Sequence, residues 1–212
     1  MREPKAKRVF LASYFTEAKE LFLEYVRDLG DDRRVTFIPT AANPDAYKGH
    51  VFSDLKTLED CGFQASTLDI SAADAETVAR EINSRPFVFV SGGNTFYLLQ
   101  EMKKKGVDAL LRDYIDRGGA YLGSSAGSVV MARDIGYVAK MDDASAAPEL
   151  KDFRGIGYVD FYVLPHYRSE PFSEVAEEIF REYRDSLNLW TLTNRQALAL
   201  EGGAFALKDA DA

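Results

Sequence analysis

A serine hydroxyl attacks a carbonyl carbon when it is held in the open and a neighbouring base takes its proton. Three short segments of this chain could supply those parts. Gly123-Ser124-Ser125-Ala126-Gly127 fits G-x-S-x-G. Small residues around the central serine permit a sharp strand-to-helix turn that presents its side chain at the edge of a sheet. The following helix aims its first N–H groups and its positive dipole end at the same point. Ser125 is the candidate nucleophile and the Ala126 N–H a candidate oxyanion donor. Ser91-Gly92-Gly93-Asn94-Thr95 lets a backbone pass close to a ligand, so Gly92, Gly93 and Asn94 are candidates for oxyanion and substrate binding. This segment lacks the lysine of a P-loop and the third glycine of a dinucleotide fingerprint. His166, in Leu164-Pro165-His166-Tyr167, is the better of two histidines as base. His50 falls within an amphipathic helical pattern and reads as a packed or solvated side chain.

The elbow alone could be a tight turn without chemistry, so its context matters. Short apolar runs at Val9–Ala12, Val35–Pro39, Ala65–Leu68, Phe87–Val90 and Ala120–Gly123 alternate with stretches of helical periodicity. Phe15, Ala18, Phe22, Tyr25 and Leu29 mark a helix ending at Gly30. Asn43-Pro44 would cap a helix with Tyr47, Val51, Leu55 and Leu58 inward and Gly62 past its end. Further helices are expected at 71–83, 94–104 and 107–117. This βαβα alternation predicts an α/β fold with a doubly wound, mainly parallel sheet and ligands at the carboxyl ends of its strands. Residues 134–155 read as an irregular surface excursion. A strand at Tyr158–Leu164, a helix through Phe172–Tyr183 and short strands at 190–192, 197–200 and 204–207 complete a single domain spanning 1–212.

Composition narrows the partners. The 212 residues are 46% apolar and 28% charged, with a formal net charge of −8. No basic face is available for nucleic acid, and Lys103-Lys104-Lys105 suits a helix C-terminus instead. No apolar stretch approaches the ~20 residues of a membrane span, and the run Val9–Ala12 is too short for a signal-peptide core. One cysteine, Cys61, fits a reducing compartment and reads as a buried structural thiol. A cytoplasmic location is expected. Two histidines, one cysteine and scattered carboxylates make no metal-ligand spacing, so neither metal nor cofactor is expected.

Taken together, Ser91-Gly92-Gly93-Asn94-Thr95-Phe96, Gly123–Gly127 and Pro165-His166-Tyr167 resemble the peptidase E family, peptidase family S51. The resemblance runs from the first strand to Glu201-Gly202-Gly203. It implies a class I glutamine-amidotransferase-like, flavodoxin-like three-layer sandwich. It also implies a serine peptidase acting on short peptides, a dipeptidase with a preference for N-terminal Asp, with Ser125 as nucleophile and His166 as its base. The family's acidic residue that orients the histidine corresponds to Asn194 in Leu192-Thr193-Asn194-Arg195. An Asn carbonyl can hold an imidazole but cannot stabilise imidazolium as a charge would. The arginine that such dipeptidases carry after the histidine has no match in Pro171-Phe172-Ser173-Glu174, which leaves Arg168 as the candidate substitute.

Other readings stay open on sequence grounds. An esterase of the α/β-hydrolase type would take its acid from Asp152 or Asp160, between Ser125 and His166. Parallel βαβ units at the start, and a histidine far from the C-terminus, speak against it. A glutamine amidotransferase needs Cys at the elbow, and a cyanophycinase-type enzyme would need further segments. A small-ligand binding protein could keep the elbow as architecture. Expected partners are a small peptide substrate and, at most, a second copy of the chain.

Overall fold

In the computed structural model, which describes residues 6–211, the strand β4 (Phe87–Val90) alternates between two apolar layers. Phe87 and Phe89 join Phe10, Phe15, Phe22 and Phe37 on one side, while Val88 and Val90 join Val9, Leu11 and Tyr121 on the other. Both faces are covered, which is why this strand is a continuous hydrophobic run. The seven-stranded sheet runs β3 (Gln64–Thr67), β2 (Arg34–Ile38), β4, β5 (Ala120–Ser124), β1 (Arg8–Ala12), β8 (Gln196–Glu201), β9 (Ala204–Asp209). The first five are parallel, and β8 and β9 add an antiparallel edge. Helices α1 (Lys19–Val26) and α2 (Gly49–Asp60) cover the phenylalanine side. The opposite side carries α3 (Ala75–Asn83), α4 (Thr95–Lys105), α5 (Val107–Asp116), the short α6 (Ala126–Val129) and α7 (Ser173–Tyr183). The result is the expected three-layer α/β sandwich.

Several local expectations need correction. Asn43-Pro44 caps no α-helix. Asn43 ends a 3-10 turn, and its side-chain amide donates to Asp69 and Ser71 at 3.0 Å each. The helix begins at Gly49 and turns Asp54, Thr57 and Leu58 inward, leaving Tyr47 and Phe52 exposed. The helices at 15–29 and 71–83 start later than the periodicity suggests, the second at its N-cap Asp74, whose carboxylate accepts from the Thr77 N–H at 2.7 Å. Cys61 is half-buried at the end of α2 rather than buried. Of the segment 158–164 only β6 (Tyr162–Leu164) is strand, and it pairs in parallel with β7 (Leu189–Thr191) in a separate two-stranded sheet. The stretch 134–155 is no mere surface excursion. Ile135, Tyr137, Val138 and Ala147 are buried, and two 3-10 turns bring Asp142 against the start of α4. The lysines ending α4 behave as their position suggests: Lys103 pairs with Asp152 and Lys104 with Glu101 and Glu149. The N-terminal basic residues before Ala6 lie outside the described residues.

Two glycines allow the elements around the elbow to approach closely. A Cβ on Gly127 would sit 2.1 Å from the Val90 carbonyl oxygen, and one on Gly93 would lie within 2.4–2.5 Å of the backbone of Ala41 and Ala42. Gly127 thus lets α6 lie against the end of β4, where its own carbonyl accepts from the buried Tyr121 hydroxyl at 2.6 Å. Backbone cannot give way as a flexible side chain would. Gly127→Ala is expected to destabilise the chain by about 3 kcal/mol, the upper range for overpacking, read as a lower urea midpoint at unchanged m-value.

Candidate active site

The carboxyl ends of β1, β4 and β5 open into a cleft of about 690 Å³. β5 enters the elbow at Ser125, whose φ of 49° and ψ of −110° are rarely adopted by a residue with a side chain. The Ala12 carbonyl holds this conformation, accepting from the Ser125 N–H at 3.1 Å and the Ser128 hydroxyl at 2.7 Å. His166 also has positive φ, 59°, and its turn is pinned to the residue that follows β1: its N–H donates to Ser13 Oγ at 2.7 Å. The Tyr167 N–H donates to the Leu192 carbonyl, linking this turn to the one carrying Asn194.

These supports bring the side chains into line. Ser125 Oγ lies 2.9 Å from His166 Nε2, and His166 Nδ1 lies 2.7 Å from Asn194 Oδ1. The amide orientation is fixed from behind, because Asn194 Nδ2 donates to Glu17 Oε1 at 3.2 Å. An amide oxygen only accepts, so Nδ1 carries the histidine's hydrogen and Nε2 is left to accept from the serine. Burial pulls the His166 pKa below the ordinary imidazole value, and the Asn194 hydrogen bond and the Glu17 charge partly oppose that shift. The imidazole is therefore neutral, and able to act as a base, at neutral pH.

Gly92 abuts Ser125, since a Cβ on it would lie 3.3 Å from the serine Cβ. Among the described residues, the N–H groups of Gly92, Gly93 and Ala126 make no hydrogen bond to the protein. Gly92 and Gly93 line the cleft beside Ser125, and Ala126 follows Ser125 in the chain. Asn94 lines the cleft and also holds local structure. Its side chain caps α4 through the Tyr97 N–H at 2.9 Å, and its amide donates to the Asp143 carbonyl at 2.8 Å, tying down the loop that roofs the cleft. Arg168 does not line the cleft, because its guanidinium stacks over the Tyr167 ring, 5.1 Å from the centroid. Of the two carboxylates an esterase would draw on, Asp152 is taken by Lys103 and Arg154 and Asp160 is exposed; neither lines the cleft.

Four residues in this region carry roles that the sequence does not signal. Glu17 follows β1, where the rule that ligands gather at strand carboxyl ends could have found it. His50, read as packed or solvated, lines the cleft with Nε2 3.3 Å from the Gly92 carbonyl oxygen. Asp54 lies beneath the elbow, 1% exposed, accepting from the Ser91 hydroxyl at 2.7 Å while its Oδ1 has no partner. Asp142 accepts from the Thr95 N–H at 2.9 Å. Burial raises Asp54 to about 7 and Asp142 to about 6.

The Asp54 shift has a sign. A carboxyl raised in the folded state binds protons the unfolded chain has already lost, so its stabilisation is lost as pH rises from about 4 to about 7. Asp54→Asn, which keeps a neutral group of that shape, should raise the melting temperature relative to the parent at pH 8 and leave it nearly level at pH 4. An equal shift at both pH values would show that Asp54 does not titrate across this range.

The chain has relatives along nearly its whole length. Residues 9–208 match the model of peptidase family S51. An uncharacterised peptidase of Pasteurella multocida is 38% identical over 91% of this chain and 92% of its own length. A peptidase E of a Nostoc strain is 29% identical over 76% of this chain and 66% of its own. A solved Listeria monocytogenes structure, described provisionally as a peptidase E protein, superposes with a TM-score of 0.90 at 34% identity, covering 96% of this chain and 98% of that one.

Proposed function

The chain belongs to peptidase family S51 and is a peptidase, and from that premise we propose that it is a serine peptidase of short peptides working through Ser125, His166 and Asn194. The observation that carries this reading is the 2.9 Å contact of Ser125 Oγ with His166 Nε2 at a strained elbow. Ser125 Oγ attacks the scissile carbonyl while its proton passes to His166 Nε2. The N–H groups of Ala126 and of Gly92 or Gly93 hold the oxyanion. Protonated His166 then gives its proton to the leaving amine. Water, deprotonated by the same imidazole, then attacks the acyl carbon; the C–Oγ bond breaks and His166 returns the proton to Ser125 Oγ. Asn194 Oδ1 keeps Nδ1–H in place throughout and takes no proton.

The cleft supports short substrates. It is roofed by Met141–Asp143 and walled by Glu170, Pro171 and Phe172, whose ring lies 4.9 Å from that of His166. Among the described residues, its lining has no lysine or arginine to meet an N-terminal Asp side chain. We therefore read a dipeptidase without the expected preference for Asp. A reporter beginning with Asp should show a kcat/KM no higher than one beginning with Ala; a large excess for Asp would restore the family's specificity here.

A fluorophosphonate should label the parent chain at Ser125 and fail to label Ser125→Ala, which stays folded because the elbow tolerates a smaller side chain. His166→Ala should lower the rate by the ~10²–10⁴-fold typical of lost acid–base help. His50→Ala should cost less, its ring meeting the Gly92 carbonyl rather than Ser125. The acidic limb of the pH–rate profile should fall below the ordinary imidazole pKa, as the burial of His166 requires. Labelling of Ser125→Ala at another serine would remove Ser125 as nucleophile.

A further inference from the structure

We propose that Glu17 is the charged member of this catalytic chain, a positioning residue that acts on His166 through the Asn194 amide; this rests on the serine peptidase reading above. In that reading an amide stands where a carboxylate would hold the imidazole, and a neutral carbonyl gives imidazolium little support. The carboxylate is present one residue further back. Glu17 lies in the segment after β1, half-buried at the cleft wall, and accepts from Asn194 Nδ2 at 3.2 Å.

The consequence is twofold. An amide can be turned end for end, and the flipped form would set two N–H donors against His166 Nδ1–H. Glu17 can only accept, so it fixes Oδ1 toward the histidine. It also polarises the amide it binds, because a hydrogen bond to an ionised acceptor is stronger than a neutral one. As the Ser125 proton moves to His166 Nε2, the positive charge formed is met by the oriented amide and by the Glu17 charge behind it. No proton leaves His166 Nδ1, and none passes to Glu17. Among the described residues, the other groups facing the imidazole contribute no equivalent negative charge in contact: His50 opposes protonation, the Phe172 ring is neutral, and Glu170 lines the cleft without a hydrogen bond to His166 or Asn194.

The geometry also revises what an acid at position 194 would do. On sequence grounds Asn194→Asp looks like a gain, a restored family acid. In the structure it would set two carboxylates against each other across the 3.2 Å contact, so it should help only when the Glu17 charge is removed.

The test uses the fluorophosphonate labelling rate of Ser125 across pH, which needs no knowledge of the natural substrate. Glu17→Gln, of the same shape, should lower the rate about tenfold, the equivalent of one pKa unit of interaction, and move the acidic limb to lower pH. Adding Asn194→Asp to Glu17→Gln should restore the rate and move the limb upward, since a carboxylate then contacts His166 directly and the new amide at position 17 can donate to it. On an Asn194→Ala background Glu17→Gln should add little, as expected of residues acting in series. Glu17→Gln with the parental rate and profile would overturn the proposal, as would failure of Asn194→Asp to rescue it. A parent chain unlabelled at Ser125 would overturn the serine peptidase reading, and the Glu17 role with it.

Discussion

The Ala12 carbonyl oxygen is the point on which the site turns. Ser125 occupies a backbone conformation costing on the order of 1–3 kcal/mol, and such strain persists only where its surroundings leave no alternative. Ala12 supplies that constraint, taking the Ser125 N–H and the Ser128 hydroxyl together. Parallel pairing of β1 with β5 puts it there, with Ala12 opposite Ser124, and the antiparallel pairing with β8 sets Ala12 opposite Ala197. The strand is therefore locked on both sides, and the elbow cannot relax without breaking the middle of the sheet.

The segment after β1 extends the same logic. Within five residues the chain uses Ser13 to pin the His166 turn, sends the Phe15 N–H to Ser124 Oγ at 3.2 Å, and places Glu17 behind Asn194. Phe15 anchors this segment, packed edge-on against Phe22 and Phe89 at 4.9 and 4.7 Å between ring centroids. Aromatic packing in the core therefore sets the position of a hydrogen-bonded chain at the surface of the cleft. The elements contributing Ser125, His166, Asn194 and Glu17 are far apart in sequence, and this one segment touches each of them or its immediate support.

That dependence explains which features are legible in the sequence. The elbow, the two glycines after β4 and the histidine after β6 are legible because small residues next to a strand end have few other uses. The parallel core is legible too, its strands being short, apolar and bounded by turns. Element starts are harder. Asn43 looks like a helix cap, but its amide finds Asp69 and Ser71, partners 26 and 28 residues away that no local pattern reveals. The segment 134–155 has no periodicity because it packs as irregular backbone, yet it buries Tyr137 and Val138 and roofs the cleft. Glu17 escapes notice since a charged residue in a helical-looking stretch gives no hint that an amide 177 residues later will meet it.

The acidic lining then bears on how the site keeps its base neutral. Glu17, Asp45, Asp54, Asp142, Asp143 and Glu170 line the cleft, and an ionised carboxylate close to His166 would raise its pKa. Burial works the other way on both partners: it lowers His166 and raises Asp54 and Asp142, so those two carboxyls carry less charge near neutrality than their number suggests. Among the carboxyl groups of the described residues, only Glu17 reaches the imidazole's hydrogen-bonded chain, and it does so behind a neutral amide that attenuates its pull. An Asn at 194 is thus consistent with a cleft rich in acid. A carboxylate in direct contact would push the imidazole toward the protonated form, against the burial that lowers its pKa, whereas an amide backed by a carboxylate leaves the ring closer to neutral.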